Sequence, residues 1–196
     1  MLCGMKRNGL TGLVAGLSLM VGISGYAQMP ASSSSRVTQA TSKSLVHTLS
    51  DKKVNEMSLQ QVQSSLVEYI NIVRAQHGLH KLKLYQNPIA QDHSTYLFTS
   101  KEDLVLTYED HFDGKGNSLS SRVENAKIPI DTDCRWECKR VGENIASSNM
   151  TIKQTVDKWL ASPDHAANLL WASFDVVAIW YAPGGNNVVA DFLNLK

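Results

Sequence analysis

The sequence lacks the short motifs that mark several common enzyme classes. It contains no P-loop, no G-x-G-x-x-G dinucleotide fingerprint, no G-x-S-x-G nucleophile elbow and no H-E-x-x-H zinc motif. The sequence therefore gives no support to the enzyme classes that these motifs identify. Any chemistry has to be sought in polar residues at the ends of predicted helices and strands.

The sequence also lacks an excess of charge of one sign. Its 196 residues include 19 lysines and arginines and 18 aspartates and glutamates. A surface that binds nucleic acid is normally strongly basic. We therefore predict no nucleic-acid partner.

One apolar run lies near the N-terminus, and it is too short to remain in a membrane. Residues 10–23 form a stretch of about 14 residues, whereas a permanent transmembrane helix needs about 20. Lys6 and Arg7 precede this run and the small-residue segment 25–27 follows it, which is the order of a secretory signal peptide. We expect residues 1–27 to be removed, leaving a secreted or periplasmic protein with no permanent membrane span. The alternative is an uncleaved signal anchor.

Cysteine is scarce in this sequence. Of three cysteines, Cys3 lies in the predicted signal peptide, so the mature chain keeps only Cys134 and Cys138. An even number of cysteines in an oxidising compartment favours a disulfide between them. A C-x-x-x-C pair can also supply half of a zinc site, but no second cysteine pair or nearby histidine accompanies it. The predicted disulfide closes a short loop, so it fixes that loop rather than the whole fold.

The remaining chain divides into a spacer and one domain. Residues 28–57 are rich in serine, threonine and lysine, which predicts a flexible spacer. Residues 58–196 have the size of a common single domain and contain no internal repeat. We expect this domain to be a monomer.

Helical patterns predominate in the first part of the domain. Ser58 is placed to cap a first helix, whose apolar residues recur at helical spacing until Gly78. Serine and threonine favour helix starts, and proline is tolerated in the first turn. Four further helices are predicted, beginning near Asn87, Leu119, Thr151 and Ser162, the last of them running to about Trp171.

Strand patterns are concentrated at the end of the domain. Residues 176–182 and 188–193 are rich in β-branched side chains, and the P-G-G-N-N segment between them predicts a hairpin. Residues 104–108 fit either a strand or an extended loop. Helices first and an antiparallel sheet late indicate an α+β fold.

Four short segments stand out within residues 58–196. They are NIVRAQHGL at residues 71–79, His111 with D-G at residues 113–114, VGENIA at residues 141–146 and WLASPDHAANLL at residues 159–170. In order and spacing these segments resemble the N-x-x-R-x-x-x-G-L, H-x-x-x-x-G, G-E-N-[IL]-A and W-x-x-S-x-x-H-x-x-N-[IL]-L motifs of the bacterial SCP-like branch of the CAP superfamily. That superfamily includes cysteine-rich secretory proteins, antigen 5 and plant pathogenesis-related proteins.

The resemblance implies a three-layer α-β-α sandwich with a central cleft that gathers two histidines and two acidic residues. The two histidines correspond to His111 and His165, and one acidic residue corresponds to Glu143. Ser162 occupies the position of the second acidic residue in the animal and plant members. The cleft of this chain is therefore expected to be less anionic than theirs.

Two chemical interpretations of the cleft remain open. His111, His165 and Glu143 could hold a divalent cation such as zinc, with an open coordination position for water. They could equally form a polar network in which Glu143 orients one imidazole. Ser162 is interpreted chiefly as a helix cap and not as a nucleophile.

Several other residues are expected to have structural roles. Short amides commonly satisfy backbone groups in loops and turns, so Asn144 and Asn168 are expected to hold the local structure. Trp159 lies on the apolar stripe of its helix and is expected in the core. His93 is expected on the inner face of the second helix.

The preferred function is an exported binding protein whose cleft accepts a small ligand, a lipid or a divalent cation. Proteins of the CAP superfamily, which the chain resembles, are associated with sterol or lipid binding, ion-channel modulation and antimicrobial or virulence roles, so the fold does not fix one activity. The first alternative is a metal-assisted hydrolase of peptides or of an envelope polymer. The second is an extracellular scaffold whose spacer holds the domain away from another surface.

Overall fold

The computed structural model of this chain describes residues 51–100, 107–131 and 141–196. The predicted signal peptide, most of the predicted spacer and both cysteines of the predicted disulfide, Cys134 and Cys138, lie outside the described residues. These three features stay predictions. Among the helices that are described, none combines the length and the apolar character needed to cross a membrane.

Three of the described helices begin after a serine or threonine whose hydroxyl accepts from a free backbone N–H group. Helix α1 (Leu59–Gln76) starts after Ser58, whose hydroxyl accepts from the backbone N–H of Gln61, while the Gln61 side chain accepts from the N–H of Ser58. It stops before Gly78, which has the positive φ of 70° that favours glycine. The other helices are α2 (Pro88–Ser100), α3 (Leu119–Asn125), α4 (Ile152–Ala161) and α5 (Pro163–Leu169).

The strands form one mixed sheet. They are β1 (Lys83–Leu84), β2 (Val141–Ser147), β3 (Val176–Tyr181) and β4 (Asn187–Leu193), in the order β1-β3-β4-β2. Strands β3 and β4 form the predicted antiparallel hairpin, and β2 pairs antiparallel with β4. The parallel pair of β1 with β3 departs from the predicted antiparallel sheet. The sequence does not predict it, because β1 has only two residues and both are exposed.

Helices cover both faces of the sheet, as the predicted α-β-α sandwich requires. Alternate side chains of β4 point to opposite faces. One set packs in a large core with α1, α4 and α5, and includes Val188, Ala190 and Phe192. The other set, with Val189 and Leu193, packs against α2 and α3. The predicted fold class is confirmed.

The packed region begins before Ser58, which corrects the predicted end of the spacer. Val54 is completely buried and Met57 nearly so. The backbone N–H of Val54 donates to the carbonyl of Met150 at 3.0 Å, and the backbones of Lys53 and Thr151 form an isolated antiparallel β-bridge. These apolar residues are too few and too irregularly spaced to show a pattern in the sequence.

Three smaller predictions are also settled. Thr107 is extended and Tyr108 begins a 3-10 turn, Tyr108–His111, so the end of residues 104–108 is not a strand; residues 104–106 lie outside the described part of the chain. Helix α5 ends at Leu169, two residues before the predicted end. The predicted helix near Leu119 is present as α3.

Candidate functional site

The four residues predicted to line the cleft border one cavity of about 620 Å³. They come from three separate parts of the chain: His111 from the 3-10 turn, Glu143 from β2, and Ser162 and His165 from the start of α5. The rest of the wall mixes polar and apolar side chains, namely Thr107, Tyr108, Ile145, Lys158, Trp159, Asp164 and Asn168.

The position of β2 explains how one carboxylate reaches this cavity. Strand β2 is the last strand in the sheet order, and the side chain of Glu143 lies on the face that α2 and α3 cover. Helix α5 packs against β2, and the turn that carries His111 approaches Glu143. The cavity therefore lies beside β2, at one edge of the sheet.

Glu143 is buried and each of its two oxygens accepts hydrogen bonds. Its Oε1 accepts from Nδ1 of His111 at 2.9 Å, and its Oε2 accepts from Nδ1 of His93 at 2.8 Å. Oε2 also accepts from Nη2 of Arg122 at 2.6 Å. The carboxylate is thus held by three donors, from α2, α3 and the turn before α3.

These donors keep Glu143 ionised in spite of its burial. Burial alone raises the pKa of a carboxyl group, because it removes water from the charged form. The hydrogen bonds from His111 and His93 and the positive charge of Arg122 outweigh this effect and hold the pKa of Glu143 far below its ordinary value. At neutral pH the carboxylate of Glu143 is therefore negatively charged where it contacts His111.

The contact with Glu143 selects one tautomer of His111. An ionised carboxylate can only accept, so Nδ1 of His111 is the nitrogen that carries the proton in this hydrogen bond. Nε2 is then the acceptor nitrogen of the neutral ring, and it has no hydrogen-bond partner among the described residues. Metal-binding histidines commonly donate their other ring N–H to a carboxylate in this way.

His165 is the second imidazole of the cavity. Its ring centroid is 6.3 Å from that of His111, and the two rings are tilted by 41°. Partial burial and the neighbouring His111 lower the pKa of His165, with burial the larger cause. At neutral pH His165 is therefore mostly neutral and has a lone pair to offer.

Ser162 precedes α5, as predicted, but its hydroxyl does not cap the helix. The residue has extended backbone angles, and its side chain makes no capping hydrogen bond. The interpretation of Ser162 as a side-chain cap is therefore wrong. Its hydroxyl lines the cavity together with His165, while Glu143 contacts His111 and not His165 in the described structure.

Amide side chains attach α5 to β2. Asn168 donates through Nδ2 to the carbonyl of Glu143 at 3.0 Å and to Oδ1 of Asn144 at 2.7 Å. Asn144 in turn donates to the backbone carbonyl of His165 at 3.1 Å. These hydrogen bonds confirm the structural roles predicted for Asn144 and Asn168. Because they join α5 to β2, they also fix the position of His165 relative to Glu143.

Trp159 closes the same edge of the sheet from α4. It is 1% exposed, as predicted for a core residue, and its indole N–H donates to the carbonyl of Ile145 at 3.2 Å. This hydrogen bond and the one from Asn168 satisfy two carbonyls of the edge strand β2, which have no neighbouring strand to accept from. Trp159 is therefore both a core residue and a wall of the cavity.

Sequence reasoning missed His93 and Arg122 as parts of the site. His93 was expected on the inner face of its helix, and a histidine buried there needs a hydrogen-bond partner. Arg122 follows Leu119 by three residues, which places both on one face of α3. Those two signals point to a buried polar partner, but neither identifies it as Glu143.

Among the described residues, the donors at the cleft do not form a structural zinc site. His111 and His165 face one cavity, each with an imidazole nitrogen able to bind a metal. Both oxygens of Glu143 are engaged by His111, His93 and Arg122. Among the described residues, no group of three or more His, Cys, Asp or Glu side chains is arranged to hold a metal ion.

Comparison with solved structures supports the fold. The chain is similar to an extracellular protein containing an SCP domain from Bacillus anthracis (TM-score 0.56, 21% identity, 70% of this chain and 41% of that one). It is also similar to a cysteine-rich secretory protein from Staphylococcus aureus (TM-score 0.51, 18% identity, 70% and 39%). A third similar structure is an outer surface protein from Borrelia burgdorferi (TM-score 0.55, 18% identity, 71% and 97%). The chain spans about two fifths of the length of the first two proteins.

Sequence comparison identifies the family. A comparison with curated proteins finds no match. The sequence profile of the CAP, or cysteine-rich secretory protein, family matches residues 67–192, which include His111, Glu143, Ser162 and His165. The four motifs, the sandwich fold and this match agree, and the chain belongs to the CAP family of cysteine-rich secretory proteins.

Proposed function

We propose that this CAP domain is an exported binding protein whose cleft takes a divalent cation, together with a small polar ligand, between His111 and His165. The observation that carries the proposal is the pair of imidazoles, 6.3 Å apart between centroids, on one cavity of about 620 Å³. Neutral imidazole is the commonest protein ligand of transition metals. A cation bound there would act as a Lewis acid toward whatever else occupies the cavity.

Glu143 is assigned to the support of this site and not to direct coordination. Its carboxylate holds His111 in the tautomer whose Nε2 is free, as partners of metal-binding histidines commonly do. Water or the bound ligand would complete the coordination, because only two imidazoles come from the described residues. Such a site is open and is expected to bind a cation weakly.

The rest of the wall suits a small molecule with polar and apolar parts. Lys158 and Asp164 bring opposite charges to the cavity, and Ser162 brings a hydroxyl. Tyr108, Ile145 and Trp159 supply apolar surface. A few polar groups within a partly apolar pocket are the usual composition of a small-molecule site.

Calorimetric titration with zinc tests the proposal. His165→Ala removes one proposed ligand and should abolish most of the binding heat. His77→Ala removes an exposed imidazole at the end of α1 and should leave the heat unchanged. Equal heats for the wild-type protein and His165→Ala would exclude the two-histidine site.

Export is the second part of the proposal. It is supported by the predicted signal peptide and by the names of two similar structures, an extracellular protein and an outer surface protein. N-terminal sequencing of the exported protein should give Gln28 as its first residue. A start before residue 20 would instead support an uncleaved signal anchor.

A metal-assisted hydrolase is the alternative that one observation favours. His111 and His165 line one cavity, and burial with the neighbouring His111 lowers the pKa of His165, so its ring is free to bind a cation. A cation held by imidazoles with an open position can activate a water molecule for hydrolysis. Turnover of a peptide library with added zinc or calcium, lost in folded His111→Ala and Glu143→Ala variants, would favour catalysis; absence of turnover would favour binding alone.

A further inference from the structure

Asp191 is a completely buried carboxyl group directly opposite Glu143. The two residues are paired in the antiparallel register of β2 and β4, and Asp191 has no exposed surface. Residues directly opposite in such a pair have their side chains on the same face, with Cβ atoms about 4.5–5.5 Å apart. Asp191 therefore lies on the face that α2 and α3 cover, next to the carboxylate that holds His111.

The polar groups around Asp191 donate to its neighbour or do not reach it. His93 from α2 and Arg122 from α3 each bind Oε2 of Glu143 through one nitrogen. Among the described residues, Nε2 of His93 and Nε and Nη1 of Arg122 are buried and meet no acceptor, Asp191 included. On the other side of β4, the register partner of Asp191 on β3 is Ala178, which has no charge. Within the described residues, neither oxygen of Asp191 has a donor.

Two carboxyl groups this close can satisfy one another only if they share a proton. Two ionised carboxylates are both acceptors, so a hydrogen bond between Asp191 and Glu143 requires one of them to be protonated. Glu143 accepts from three donors that favour its charged form, whereas Asp191 has none in the described structure. The proton therefore belongs on Asp191.

The electrostatics of the pair agree with this assignment. Burial and the negative charge of Glu143 raise the pKa of Asp191 well above its ordinary value, with burial the larger cause. The pKa of Glu143 is shifted in the opposite direction. Opposed shifts in two adjacent acids are the mark of one shared proton.

We propose that Asp191 is a positioning residue of the cleft: its neutral carboxyl group donates an O–H hydrogen bond to Glu143 and thereby fixes the carboxylate that orients His111. Asp191 lines no part of the cleft cavity and acts only through Glu143. Only the expected effect of Asp191 on zinc binding rests on the proposed function. The state of the carboxyl group and the tautomer of His111 are properties of the protein without any ligand.

Carboxyl-carbon NMR of protein labelled at aspartate tests the shared proton. At neutral pH the Asp191 signal should have the chemical shift of a protonated acid. Asp157, whose side chain is about half exposed, serves as the solvent-exposed reference in the same spectrum. An Asp191 signal at the chemical shift of the Asp157 signal would overturn the proposal.

A pair of variants tests the positioning role. Asp191→Asn keeps a donor without a charge and should leave His111 as the Nδ1–H tautomer, read from its imidazole nitrogen shifts. Asp191→Ala removes the donor and should give a mixture of tautomers and about tenfold weaker zinc binding, the low end of the effect found when a hydrogen-bond partner of a metal-binding residue is removed. A folded Asp191→Ala protein with the wild-type tautomer, or an Asp191→Asn protein with an altered one, would overturn the role.

The two readouts separate this proposal from the proposed function. If the wild-type protein binds no zinc but the tautomer responds to the two substitutions as expected, the cation site is wrong and the role of Asp191 stands. If Asp191→Ala does not fold, the Asp191 carboxyl signal and the Asp191→Asn tautomer still decide the matter.

Discussion

The guanidinium of Arg122 and the carboxylate of Glu143 form a buried ion pair, with 2.6 Å between Nη2 and Oε2 and side-chain exposures of 8% and 3%. Removing two charges from water costs several kcal/mol for each ion, and their attraction offsets this only when further hydrogen bonds satisfy the remaining atoms. His93 and His111 supply those bonds for Glu143, whereas Nε and Nη1 of Arg122 have no partner among the described residues. The pair therefore fixes the geometry of the site more than it adds to stability.

Removal of one partner of this pair should be strongly destabilising. Arg122→Met fills similar space but leaves a buried carboxylate without its cation, for which we expect a loss of about 3–5 kcal/mol. Urea denaturation measures the loss. Asp157→Asn breaks the exposed pair of Lys153 and Asp157 and is the control, with no measurable change expected. Equal effects of the two substitutions would contradict this account.

Glu143 should make the protein sensitive to acid. Because its folded-state pKa is depressed, its contribution is fully present above the ordinary glutamate pKa of about 4.3 and is lost as the pH falls toward the folded-state value. Glu143→Gln should be less stable than the wild-type protein at neutral pH, but its free energy of unfolding should fall less between about pH 5 and about pH 2. Parallel pH profiles for the two proteins would contradict the expected sign.

Local signals in the sequence are sufficient for most of the fold. The Ser58 and Thr151 capping boxes, Gly78 and the P-G-G-N-N segment each determine a boundary through groups only a few residues apart. Strand β1 has no such signal, since its two residues are exposed and depend on β3 for pairing. The buried turn at Val54 likewise depends on a contact with Met150, almost a hundred residues away.

The site is predictable only as far as its motifs extend. His111, Glu143, Ser162 and His165 lie on one cavity because the motifs that contain them resemble those of a known family. His93 and Asp191 lie 50 and 48 residues from Glu143 in sequence, and no spacing rule links such distant residues. Their roles follow from strand register and helix packing, which a single sequence does not contain.

Gly142 should be intolerant of any side chain because Asn168 occupies the space beside it. A Cβ atom at Gly142 would lie 2.5 Å from Oδ1 of Asn168, the amide that holds α5 against Glu143 and Asn144. Gly142→Ala should therefore destabilise the protein and displace His165. In the double variant Gly142→Ala/Asn168→Ala, the substitution at Gly142 should lower the stability less than it does when Asn168 is present. Thermal unfolding of the four proteins measures the coupling, and additive effects would contradict the expected collision.

Arg74 should stabilise the protein by holding the C-terminal end of α5 in place. It is completely buried, and its guanidinium donates to the carbonyls of His80 at 3.0 Å, Leu169 at 2.8 Å and Trp171 at 3.0 Å. Arg74→Lys has one terminal nitrogen in place of three, so several carbonyls lose their donor at about 1–3 kcal/mol each. We expect a loss of at least about 2 kcal/mol in urea denaturation. Gln76→Ala, at an exposed position of the same helix, is the control and should have little effect.

Asp191 should affect stability with a pH dependence opposite to that of Glu143. Its folded-state pKa is raised, so its contribution is fully present below the ordinary aspartate pKa of about 3.9 and is lost as the pH rises, because the unfolded chain ionises while the folded protein keeps the proton. Asp191→Asn has no such titration. Relative to this variant, the wild-type protein should lose about 1.4 kcal/mol for each pH unit above about 3.9, until the folded-state carboxyl group itself ionises. Urea denaturation of both proteins at several pH values measures the difference. A difference that stays constant, or that changes in favour of the wild-type protein as the pH rises, would show that Asp191 is ionised in the folded state.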